Sequence, residues 1–92
     1  MIPDADPEIR RIVARRIGTA WLDRFWADPD PLVRREAAQR RPALFAADDD
    51  MRVRHVVAET GALEDLTRLL DDPEDIIRET AASRLAELEK EA

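Results

Sequence analysis

The stretch Asp30-Pro31-Leu32-Val33-Arg34-Arg35-Glu36-Ala37-Ala38 decides the fold. Its Asp-Pro opening reads as a helix start. The aspartate side chain accepts a hydrogen bond from a first-turn N–H that has no helical partner. Proline at the first helical position has no N–H to leave unsatisfied. Val33 and the alanines three and four residues after Arg34 share one helical face. Small residues on that face let a neighbouring helix approach closely.

The same pattern recurs on both sides of this stretch. It reads Asp6-Pro7-Glu8-Ile9-Arg10 upstream, then Asp50-Met51-Arg52-Val53-Arg54 and Glu74-Asp75-Ile76-Ile77-Arg78 downstream. Each copy is acidic, variable, variable, β-branched apolar, arginine. The arginines are 24, 20 and 24 residues apart, and each is followed four positions later by Ala14, Ala38, Ala58 or Ala82. Four copies in register define an internal repeat. The predicted repeats are about 4–27, 28–47, 48–70 and 71–92 of a single domain, 1–92.

Apolar faces follow from the same spacing. Ile9, Ile12, Val13 and Ile17 form that of the first helix; Val53, Val56, Val57 and Thr60 form that of the third. Helices of roughly 10–12 residues are marginal alone in water, so stacking on neighbours must stabilise them. The second half of each repeat is shorter: Thr19–Trp26, Pro42–Phe45 and Leu63–Leu70. Gly18 and Gly61 fall where helix C-terminal caps are expected, and Pro42 ends the second helix. A last helix is predicted from about Glu74 to Lys90, polar on one side of its tail. No segment has the alternation of a strand.

The Asp-Pro-x-x-Val-Arg-x-x-Ala-Ala pattern resembles HEAT-like repeats. The 24-residue spacing resembles the bacterial leucine-rich repeat variant, in which an α-helix alternates with a short 3₁₀ helix. The resemblance covers about residues 4–88 and implies an all-α, short right-handed α-solenoid of about four repeats. Some members of that family carry a cysteine-bound iron–sulfur cluster ahead of the repeats. This chain has no cysteine, so that role is not carried over.

Composition narrows the chemistry. Zero cysteines exclude a disulfide framework, a thiolate metal site and a cysteine nucleophile, and a single histidine, His55, excludes any site needing two imidazoles. Ser83 is the only serine, and two glycines cannot build a phosphate-cradling loop. Asp48-Asp49-Asp50 lacks the alternating ligands and glycine of a calcium loop and reads as dipole compensation before a helix. No apolar run approaches the roughly 20 residues of a membrane span, and the N-terminus lacks signal-peptide character. No catalytic residue, metal or cofactor is predicted, and a bacterial cytoplasmic protein is the expectation.

The charge is uneven. Residues 1–60 hold 11 basic and 11 acidic residues; residues 61–92 hold 4 and 10, which accounts for the net −6. The repeated Arg10, Arg34, Arg54 and Arg78 read as a structural ladder, because they track the repeat rather than one site. The acidic residue of the same or the next repeat is the expected partner. Arg11, Arg15, Arg16, Arg35, Arg40 and Arg41 could form a patch across the first two helices. Trp21, Phe25 and Trp26 form the aromatic cluster, for which core packing is favoured over exposure as interface anchors.

These readings predict a non-enzymatic protein-interaction module with a protein partner. Its candidate surface is Arg11, Arg15, Arg16, Arg35, Arg40, Arg41, Trp21 and Trp26. Self-association through an open end is a further expectation. The alternative is nucleic-acid backbone binding by the arginine patch, which would weaken steeply with salt.

Overall fold

The computed structural model describes residues 5–91. Among these the chain is all-helical, with no strand. Three ten-residue helices, α1 (Pro7–Arg16), α2 (Pro31–Arg40) and α3 (Met51–Thr60), are followed by the longer α5 (Asp75–Glu91). Between them run the 3₁₀ helices η1 (Thr19–Phe25) and η2 (Pro42–Leu44) and the short α4 (Leu63–Leu69). The chain measures 43 × 26 × 15 Å.

The predicted helix starts are present as hydrogen bonds. Asp6, Asp30 and Asp50 each accept the backbone N–H two residues on, from Glu8, Leu32 and Arg52, at 2.9, 2.8 and 2.8 Å. Pro7 and Pro31 follow the first two caps. Removal of one such cap typically costs about 1 kcal/mol.

Packing follows the sequence order: α1 lies on α2, α2 on α3, and α3 on α5. The short elements pack on the long ones, with η1 against α2, η2 against α2 and α3, and α4 against α3 and α5. Ala14, Ala38 and Ala58 are fully buried where one long helix meets the next. Ala82, in the same register on α5, is exposed. The position before each repeated arginine runs the other way. Val33, Val53 and Ile77 are fully buried, whereas Ile9 is 43% exposed. The alanine register therefore faces the following long helix, and the β-branched register faces the preceding one. This corrects the apolar face expected for α1. Ile9 and Ile12 are exposed because no preceding helix covers them among the described residues.

Gly61 is the C-cap of α3, as expected, and Gly18 follows Ile17, the C-cap of α1; neither adopts the left-handed conformation common there, with φ angles of −71° and −59°. Gly61 is required for space instead. A Cβ there would lie 2.7 Å from the Val57 carbonyl oxygen and 2.9 Å from Asp65 Cβ. In the aromatic segment an α-helical period over residues 19–26 would pair Trp21 with Phe25 and Leu22 with Trp26. The segment is 3₁₀, where residues three apart superpose. Leu22 and Phe25 therefore share the buried face, and both have no exposed surface.

Candidate interaction surface

The repeated arginines form a ladder of bidentate pairs directed at the next repeat. Arg10 Nε and Nη2 donate to Asp28 Oδ2 and Oδ1 at 2.9 and 3.2 Å. Arg34 does the same to Asp48 at 2.8 and 3.1 Å, and Arg54 to Asp72 at 2.7 and 3.3 Å. Each fork is planar and matches a carboxylate, a geometry that lysine cannot supply. The third donor of each guanidinium turns to the loop before its own helix. Nη1 of Arg34 and Arg78 donates to the backbone carbonyls of Asp28 and Asp72, both at 2.7 Å. Arg54 Nη1 donates to the Asp48 carbonyl at 2.9 Å. Asp28 and Asp48 thus join two arginines each, one through the side chain and one through the backbone.

The acceptor aspartates were not singled out by spacing alone, although a signal was present. Asp28, Asp48 and Asp72 stand two residues before Asp30, Asp50 and Glu74, and the Oδ1 of each accepts that residue's N–H at 2.9 Å. Their side chains are nearly buried. The Asp48 hydrogen bonds push the Arg34 guanidinium above its usual pKa, with partial burial opposing. Asp72 does the same for Arg54. Arg78, at the end of the ladder, pairs with Asp75 of its own helix.

The six arginines of the predicted patch differ in placement and partners. Arg40 Nη1 reaches back to the carbonyls of Ala14 and Ile17 at the end of α1. Arg84 repeats this contact on Ala58 and Gly61. Arg11 and Arg15 converge on Glu36 at 3.6 and 3.3 Å, and Arg11 also bonds Glu8. Arg41 is half-buried and caps α2 through its backbone N–H. Arg16 and Arg35 remain exposed. Arg35 borders a shallow, mainly apolar hollow with Met51, Arg52, His55 and Ile76.

Of the aromatic cluster Phe25 is in the core as expected, whereas Trp21 and Trp26 project into solvent, 49% and 63% exposed, against the expectation of core packing. Leu22 and Phe25 already occupy the buried face of η1. The guanidinium of Arg24, three residues on, stacks over Trp21 at 4.2 Å, as 3₁₀ spacing dictates. Trp26 forms one wall of a hollow of about 340 Å³ with Ala27, Pro29, Ala47 and Asp49. Arg34 and Asp48 also line it. A neighbouring hollow of about 580 Å³ shares Ala47 and Asp49 and extends to Asp71 and Pro73. Asp49 and Asp71 are exposed, so this edge combines an open indole with unburied carboxylates.

His55 Nε2 lies 3.3 Å from Thr80 Oγ1, and Nδ1 lies 3.6 Å from Glu59. Asp50 is held down to about 2, first by the side-chain hydrogen bonds of Arg52. Among the described residues no group of three His, Asp or Glu side chains is placed to hold a metal ion. No helix among them is long and apolar enough to cross a membrane. Comparison with protein-family models, curated proteins and solved structures gives no match.

Proposed function

We propose that this chain is a non-enzymatic protein-interaction module. In this reading it is a short right-handed α-solenoid of four HEAT-like repeats, and its contact surface is the edge carrying Trp26. The observation that carries the reading is the outward placement of two tryptophans in a chain with few large apolar residues. An indole left 63% exposed adds little to folding but is a strong anchor once a partner covers it. Rigid support from the buried Leu22 and Phe25 lowers the entropic cost of binding. Asp49, which lines the same hollow as the indole, and Asp71 in the neighbouring hollow favour a partner with basic side chains, whose cations suit both a carboxylate and an aromatic face.

Nucleic-acid binding is the weaker reading. Arg40 is committed to two carbonyls, and Arg11 and Arg15 share one glutamate. That leaves too few free cations on α1 and α2 for a phosphate track.

The test is affinity capture from cell lysate, with and without nuclease, using the native chain and Trp26→Ala as baits. A protein retained after nuclease and lost with Trp26→Ala supports the module. Prey that disappears with nuclease and persists with Trp26→Ala contradicts it.

A further inference from the structure

The two ends of the helix stack carry unmet contacts of opposite sense. On α1 the outward face shows Ile9 and Ile12, 43% and 42% exposed. The equivalents of Ile9 are fully buried by a preceding helix in every later repeat. Arg16 occupies the register of Arg40 and Arg84, the two arginines that reach back to the preceding long helix. The Arg16 side chain has no hydrogen bond or ion pair among the described residues. On α5 the forward face is open. Ala82 is exposed where its equivalents are buried by a following helix, and Ala86, one turn on, is exposed too. Arg78 occupies the register of Arg10, Arg34 and Arg54, yet among the described residues its Nε meets no carboxylate.

We infer that α5 of one copy seats on α1 of a second copy, so that the chain assembles head to tail. This rests on the repeat-stacking reading above and not on Trp26. Register places the small residues Ala82 and Ala86 against Ile9 and Ile12, repeating the alanine-to-β-branched contact inside the chain. Charge selects the same pairing. α1 carries four arginines against one glutamate, whereas α5 carries five acidic residues against three basic ones. One contact must differ from the internal ones. α5 continues past Leu85, so its carbonyls there are occupied by its own helix. Glu89, exposed one turn beyond Leu85, is the acceptor for Arg16 instead. Because the two faces differ, each added copy exposes a new site, and the assembly is open-ended.

Sedimentation equilibrium across the micromolar to millimolar range tests this. The native chain should show a mass that climbs with concentration without stopping at a dimer. Ile9→Asp closes the α1 face and Ala82→Arg closes the α5 face. Both positions are exposed, so each variant should keep its helical circular dichroism and sediment at the 10.5 kDa chain mass. An equimolar mixture of the two should form a dimer and nothing larger, through the one face left on each. Arg16→Glu and Glu89→Arg should each weaken assembly at least tenfold, and the two charge-swapped chains mixed together should recover it. A native chain that stays monomeric overturns the inference. So does a dimer insensitive to Ala82→Arg, which would mean α1 pairing with α1. Trp26→Ala should leave the sedimentation unchanged, so failure here is separable from failure of the interaction-module reading.

Discussion

Arg34 closes on Asp48 through two parallel hydrogen bonds, Nε to Oδ2 at 2.8 Å and Nη2 to Oδ1 at 3.1 Å, across 14 residues of sequence. The same carboxylate holds the N–H of Asp50, the residue that caps α3. One aspartate therefore couples the helix before it to the start of the helix after it. Arg10–Asp28 and Arg54–Asp72 repeat the arrangement across 18 residues. A cation four residues into a helix opposes the helix dipole, and the carboxylate offsets that cost.

The division of labour within η1 has a direct consequence. Phe25→Ala removes a fully buried ring and should destabilise the chain by about 3–5 kcal/mol in urea denaturation. Trp26→Ala should change stability by less than about 0.5 kcal/mol, as substitutions at open surface sites usually do. Emission at long wavelength and efficient quenching by iodide should accompany the native state. A blue-shifted, protected emission would place the indoles elsewhere.

The two glycines should respond oppositely to alanine. At Gly18 the nearest atom to an added Cβ is Trp21 Cδ1 at 3.5 Å, an ordinary contact, and φ is negative. Gly18→Ala should stabilise by about 0.5 kcal/mol through the unfolded chain. At Gly61 the added methyl meets backbone and the base of a side chain, neither of which moves easily. Gly61→Ala should cost roughly 1–3 kcal/mol. Thermal melts of both variants check the pair.

Asp50 gives the acid dependence its sign. Its carboxyl is depressed from 3.8 to about 2, chiefly by the Arg52 side chain and also by the Arg52 backbone N–H. A depressed carboxylate contributes stability that is complete above its unfolded value near 3.8 and is lost as pH falls towards 2. Carboxyl-carbon titration by NMR should place Asp50 well below an ordinary aspartate. Arg52→Ala should move it back up, because the larger cause is then gone. The site is solvent-screened, so the accompanying change in stability should be small.

Much of the architecture was legible because the repeat ties several signals to one register. The Asp-Pro caps, the arginine spacing and the following alanines placed the long helices to within a residue or two. What escaped was set by contacts between segments. Ile9 and Val33 look alike in sequence, and only the presence or absence of a covering helix separates them. In the aromatic cluster the α and 3₁₀ periods predict different faces over eight residues, and short elements give the period little length to declare itself; the 3₁₀ period puts Phe25 inside and both tryptophans outside. The arginine patch looked continuous in sequence. In the structure Arg40 turns back to α1 while Arg16, its counterpart, finds nothing to reach. Asp28, Asp48 and Asp72 were hidden among other acidic residues; their position two before the cap is the signal that marks them.

The most direct test of the ladder is a double-mutant cycle on Arg34 and Asp48. Each side chain is largely buried, so Asp48→Ala alone should cost about 3 kcal/mol, leaving a guanidinium without its carboxylate. The cycle Arg34→Ala, Asp48→Ala and the double variant, measured by urea unfolding, should return a coupling above about 1.5 kcal/mol. A coupling below about 0.5 kcal/mol, with both single variants folded and nearly as stable as the native chain, would contradict the account. The repeated arginines would then be free of a structural task.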